Sequence, residues 1–281
     1  MTRTFHGRLL TALLSLLSFW AFPAPTYATH SWSGYHWART TASFTLKLGD
    51  NVSSAWDSYL GTASSDWSAS AVLDTTVVPG GVTKQRQCQA TSGRVEVCST
   101  TYGNNGWLGV ASIWISGLHI TQGTVKMNDT YFNTAKYNTP AWRHLVMCQE
   151  VGHTFGLDHQ DTTFDNVNLG TCMDYTNFPE GGEHNSIDYG PSNEHPGGTV
   201  VGDSDYDELG IIYSHLDSTT TVKQSVSNRP SAANDEPAQL GTGQWGKLVR
   251  STNQGRTELY ELNLGRGRKV LTQVIWAEPE E

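Results

Sequence analysis

The chain has 281 residues, 37% of them hydrophobic and only 16% charged, with a formal net charge of −9. That length suits one domain of ordinary size with an appendage, or two small domains, and so low a charge content excludes a charged disordered protein, a coiled coil or a long helical bundle. No large basic cluster is present, which excludes nucleic acid as a partner, because phosphate neutralisation needs Lys and Arg grouped on one surface.

Residues 1–28 read as a cleaved secretory signal. Arg3, His6 and Arg8 form a short basic segment, and residues 9–22 form an uncharged apolar run too short for a comfortable membrane span. Thr26, Tyr27 and Ala28 then end on a small residue. Cleavage removes Arg3 and Arg8 and no acid, so the mature chain is more acidic and is expected to keep no stable membrane anchor. The four cysteines, an even number in a secreted chain, point to disulfides. Cys88 and Cys98 flank the turn signal Thr91-Ser92-Gly93 and suit a bridge across a hairpin. Close pairs such as C-x-x-C are absent, which argues against zinc held by cysteine.

Phe44, Leu46 and Leu48 alternate and predict a strand over 44–48. Residues 52–60 predict a helix with Asn51 as its cap. The β-branched run 72–78, bounded by Pro79-Gly80-Gly81, predicts a strand, as do 95–101, 110–115, 118–120 and 124–127, with a break at Ser116-Gly117. The clearest helix is 141–155: Thr139 caps it, Pro140 takes the first position, and Gly156 ends it in a left-handed conformation. After a Gly-, Asn- and Asp-rich stretch, Ser204 caps a second helix over 205–216, with Leu209, Ile212, Tyr213 and Leu216 at helical spacing. Residues 217–244 read as a linker. Residues 258–264 and 269–276, joined by Gly265-Arg266-Gly267-Arg268, predict a hairpin in a C-terminal extension over 245–281.

The residues that carry chemistry gather at the end of the first long helix. Gln149 and His153 lie four apart on one helical face, with Glu150 beside it. Gly156 lets the chain leave sharply, so that His159 can return towards His153. Three ligands with an acid beside them is the arrangement of a catalytic metal site. The segment Thr171-Cys172-Met173-Asp174-Tyr175 follows.

Residues 149–175 resemble the signature of the metzincin zinc proteases, H-E-x-x-H-x-x-G-x-x-H followed by a methionine turn. Gln149 stands at the first position, and every other defined position matches. The Met173-Asp174-Tyr175 arrangement resembles the turns of astacin-like and serralysin-like members. The Gly156-Leu157-Asp158-His159 context and the strand order are closer to matrixin-like proteases, and the element order extends the resemblance over 44–216. The fold this implies is α+β: a metzincin-like catalytic domain over 29–216, with a twisted, mostly parallel sheet, an antiparallel edge strand, an active-site helix, a Met-turn and a C-terminal helix, plus a small β extension.

The resemblance implies a secreted zinc endopeptidase. Zn²⁺ would be held by His153, His159 and the side-chain oxygen of Gln149, Glu150 would be general base to a zinc-activated water, and Tyr175 would donate to the oxyanion. Met173 is expected as an apolar floor and not as a ligand. A peptide or protein substrate would add as a strand to an exposed edge, for which 110–115 is the candidate, and the chain would act as a monomer. The alternative reading is a catalytically impaired relative that binds peptides or a surface partner through the same cleft. A Cys148–Cys172 bridge is expected, because these residues immediately precede Gln149 and Met173 and would tie helix to turn. His184 and His195 are possible substitutes for Gln149, though each reads first as a loop histidine; His144 lies off the ligand face, and His119 and His215 read as ordinary. Asp161, Asp165 and Asn166 suggest Ca²⁺ only weakly, because no EF-hand spacing is present and a solvated acidic loop is the preferred reading. Carbohydrate binding, raised by the 10 Trp, ranks below both, since aromatics in a Gly-rich domain are more often core.

Overall fold

A computed structural model describes residues 30–160, 171–176, 205–223 and 244–278, together with Met1 and Pro179. The signal segment, Asp161, Asp165, Asn166, His184, His195, Ser204 and most of the 217–244 stretch lie outside the described residues.

Alternation works as predicted in β2 (Phe44–Asn51), where Phe44, Leu46 and Leu48 are buried. A short β1 (His36–Trp37) precedes it. The first helix, α1 (Asp57–Trp67), starts later than the expected 52–60. Its buried residues Leu60, Ala63, Ser64 and Trp67 set the helical period, and that period begins only after Trp56. Asn51 is therefore no cap: it ends β2, and its amide donates to Gly49 O and to Glu96 Oε2 at 3.0 and 2.8 Å.

The strands β3 (Leu73–Pro79), β4 (Val95–Thr100), β5 (Trp107–Ser116) and β6 (His119–Asn128) follow. The segments 118–120 and 124–127 belong to one strand, and Gly117, with φ +63°, makes the tight turn before it. β2 pairs in parallel with β3 and β4, β4 pairs in parallel with β6, and β5 runs antiparallel to β6. After a short α2 (Asp129–Phe132) come α3 (Pro140–His153) and α4 (Asp205–Ile212). α4 is shorter than the predicted 205–216. Leu209, Ile212 and Tyr213 are buried, but Leu216 lies past its end and is exposed.

The C-terminal segment forms β7 (Lys247–Thr252), β8 (Thr257–Gly265) and β9 (Arg268–Trp276). The predicted hairpin is β8–β9, turning through Arg266 and Gly267, which both have positive φ. These strands continue the main sheet. β9 lies antiparallel against β5 along its whole length, from Trp107 opposite Trp276 to Ser116 opposite Arg268. The result is one nine-stranded mixed sheet in the order β3-β2-β4-β6-β5-β9-β8-β7, with β1 beside β6. The expectation that 110–115 is an exposed edge is thereby overturned: it is an interior strand, and only Ser116 of β5 is exposed.

Both faces of β5 are covered, which explains its near-continuous burial. Ile113 and Ile115 join the main core, where α1 and α3 pack together through Trp67 Nε1–H to Cys148 O at 3.1 Å. Val110 and Trp114 join a second core with Val270, Val274 and Trp245. The two disulfides are Cys88–Cys98 and Cys148–Cys172, with Cα separations of 6.0 and 5.6 Å. The first ties a loop to β4 and does not cross a hairpin. Together they point to an oxidising, extracellular or secreted environment. Among the described residues no helix is long and apolar enough to cross a membrane.

Candidate functional site

α3 begins as its sequence dictates: Thr139 accepts from Trp142 N–H at 3.3 Å, and Pro140 needs no donor there. Its exit depends on Gly156, at φ +99°, where a Cβ would lie 2.0 Å from Tyr35 O. The exit brings His159 back to His153, with the two Nε2 atoms 3.2 Å apart. Leu157 O can only accept, so the His153 Nδ1 at 2.9 Å carries the proton and Nε2 keeps its lone pair towards His159.

Trp32 stacks on the other face of His153, with centroids 5.1 Å apart and planes at 10°, and the Tyr175 ring lies 5.0 Å from that of His159. The Met173 sulfur lies under Gly152, where a Cβ would be only 2.6 Å from it. The turn is held from below by Asp205 at the start of α4: its Oδ2 accepts from Met173 N–H at 3.2 Å, and its Oδ1 faces His30 Nε2 at 3.3 Å.

The Gln149 amide nitrogen donates to Cys172 O at 2.9 Å and Asp174 O at 2.7 Å. This residue therefore joins the helix to the Met-turn, alongside the disulfide one residue earlier. Glu150 is fully buried, and both its carboxylate oxygens lack a hydrogen-bond partner among the described residues. It abuts β5: a Cβ on Gly109 would lie 2.5 Å from Glu150 Oε1. Tyr175 Oη donates to Arg256 O at 2.9 Å, so its hydroxyl is engaged by the C-terminal segment. Arg250 of β7 reaches Asp158 at 2.5 Å. Gln273 of β9, opposite Ala111, is buried, and both its amide atoms are without a partner among the described residues. An apolar pocket beside Gln149 is walled by Leu108, Trp142 and Tyr175 on one side and by Ile275 and Trp276 of β9 on the other.

Burial dominates the electrostatics. It pushes the Glu150 carboxyl well above its usual range, lowers His153 to about 4 and holds His159 well below the ordinary histidine value. Neighbouring His153 and Arg250 depress His159 further.

His153, His159 and Tyr175 come together and Gln149 is tied to the turn at Cys172 and Asp174, while His144 stands apart, 3.5 Å from Asp66. A second group went unrecognised in the sequence: His36, His119 and Asp217 place three donor atoms within 4.8 Å of one another, close enough to hold a metal ion. His119 had read as ordinary, and the sequence reading did not single out His36 or Asp217. The available signal was His215-Leu216-Asp217 just past a helix, two ligand types in one short turn. No protein-family model matches this chain, and no curated protein matches it significantly.

Proposed function

We propose that the chain is a secreted, zinc-dependent endopeptidase of the metzincin type, matrixin-like in its element order, with Gln149 in the place of the first ligand histidine. One observation carries this reading: the Nε2 atoms of His153 and His159 face each other 3.2 Å apart at the exit of the helix that also carries the buried Glu150, whose carboxylate has no partner among the described residues. Donors around one tetrahedral Zn²⁺ stand about 3.3 Å apart, given Zn–N bonds of about 2.0–2.1 Å. His153 and His159 fit that spacing, and the orphaned Glu150 oxygens fit a site whose polar occupants belong beside them. His153 and His159 would hold the ion, and Gln149 would offer its side-chain oxygen while its nitrogen stays on the Met-turn. When bound, zinc supplies Lewis acidity and an acidified water.

The chain's own residues supply the rest. Glu150 moves the proton from water to the leaving amine. Burial pushes its carboxyl well above the usual carboxylate range. Tyr175 can serve an oxyanion only after its hydroxyl leaves Arg256 O. The β5 backbone that would pair with a peptide is already paired with β9, so the described form is closed. The same two facts, together with the engagement of Gln149 by the turn, favour the second reading, a peptide-binding relative without hydrolysis.

Zinc content and peptide cleavage of wild type, His153→Ala and Glu150→Ala separate the two. The protease reading expects His153→Ala to lose a zinc ion and Glu150→Ala to abolish hydrolysis with that ion retained. If wild type cleaves no peptide and His153→Ala loses no zinc, the binding-protein reading replaces it.

A further inference from the structure

We propose a second metal site, remote from Glu150 and independent of the protease reading: a structural Zn²⁺ held by His36, His119, His215 and Asp217. Three separate segments bring these residues to one point. His36 comes from β1, His119 opens β6, and His215 and Asp217 follow α4. His36 Nε2 lies 3.4 Å from Asp217 Oδ1 and 3.2 Å from His215 Nε2. His119 Nε2 lies 3.0 Å from Asp217 Oδ1, and His215 Nε2 lies 3.9 Å from it. These separations bracket the spacing of about 3.3 Å between donors on one tetrahedral Zn²⁺.

The surroundings prepare the ligand atoms. The His36 Nδ1–H donates to Gly34 O at 2.8 Å, which leaves the Nε2 lone pair facing the other donors. Asp217 is held from both sides by Arg39: its Oδ2 accepts from Arg39 N–H at 2.9 Å, and its own N–H donates to Arg39 O at 2.8 Å. Its Oδ1 is thus left aimed at the histidines. The rings of His119 and His215 stand edge-on to His36, at 81° and 86°, so three imidazoles converge without stacking. A lone pair facing a carboxylate oxygen is repulsive unless a metal ion or a proton lies between them. Three nitrogens and one oxygen exclude Ca²⁺, which takes six to eight oxygens, and a filled four-ligand set is that of a structural site.

Such an ion would clip the N-terminal segment to the sheet and to the exit of α4. That segment carries Trp32, which covers His153.

The test is zinc stoichiometry and thermal stability of the full-length chain with Zn²⁺ as the probe, in a His153→Ala background that isolates the second site. One zinc per chain is expected to remain there, with a zinc-dependent rise in Tm and the visible absorption of tetrahedral Co²⁺ on substitution. Adding His119→Gln or His215→Ala should remove the ion, the absorption and the Tm rise together. His215 is half exposed, so its loss should leave the fold intact by circular dichroism. The proposal is overturned if the His153→Ala chain binds no zinc, which would leave these histidines as a hydrogen-bonded cluster. It is equally overturned if either added substitution leaves binding and Tm unchanged.

Discussion

Gly152 sits in the last turn of α3, where helix propensity alone favours alanine. A Cβ there would lie 2.6 Å from both Met173 Sδ and Trp67 Cζ2, one from the Met-turn and one from α1. Gly152→Ala should therefore destabilise the chain by about 1–3 kcal/mol through overpacking. The measurement is the urea midpoint at unchanged m-value, and an unmoved midpoint would show that the turn does not pack against the helix. At Gln149 two effects separate. Under the protease reading, Gln149→His supplies a third imidazole, so zinc should leave more slowly to a chelator. It also removes both hydrogen bonds to Cys172 O and Asp174 O, so the metal-free chain should lose about 1–3 kcal/mol. A variant with unchanged zinc retention would mean that position 149 does not face the ion.

Among the elements, β9 decides most about function. Under the protease reading its ladder with β5 occupies the backbone groups that a bound peptide would use, and Ile275 lies opposite Gly109, the residue against Glu150. The C-terminal segment is further fastened where Arg250 of β7 meets Asp158 and where Arg256 O, just before β8, accepts from Tyr175. Gln273→Pro removes a ladder donor from the middle of β9, an interior strand where proline is not accommodated. Under the protease reading, loosening the strand should raise peptide cleavage severalfold in a variant whose circular dichroism still shows the fold. Cleavage that stays flat while the hairpin becomes sensitive to an added protease would show that β9 does not gate the site.

At the scale of the whole molecule, burial of ionisable groups shapes stability at high pH. Burial lowers Lys126 on β6 to about 8, below its unfolded value of about 10.4. The unfolded chain thus binds more protons between those values, and stability rises with pH across that window. Tyr102 and Tyr213 act in the opposite direction, because burial raises both hydroxyls above their ordinary value. The unfolded chain then ionises more readily above about pH 10, and stability falls. Tm should therefore climb from pH 8, peak near pH 10 and decline beyond it. Lys126→Met should flatten the climb and raise Tm at pH 7 by roughly a few degrees. A Tm that does not rise between pH 8 and 10 in wild type would refute the assignment to Lys126.

The parts legible from sequence alone are those whose causes lie within a few residues. Thr139, Pro140 and Gly156 delimit α3 through capping, a fixed φ and a left-handed exit, and the spacing of His153 and His159 follows from them. The β8–β9 turn and the alternation of β2 are equally local. The Cys148–Cys172 bridge was legible because each cysteine adjoins a residue of the recognised site. Tertiary structure alone decided the remainder. Nothing near 110–115 shows whether that strand is an edge, because its partner β9 lies some 160 residues away and is chosen by which apolar faces remain to be covered. Residues 52–60 read as a helix after Asn51, yet α1 starts only where Leu60, Ala63 and Trp67 can reach the core. The cluster of His36, His119 and Asp217, with His215 beside it, is assembled from the first strand, the sixth and the stretch after α4. Each of those side chains is ordinary in its own neighbourhood, and only the packing of the sheet against α4 brings their donor atoms together.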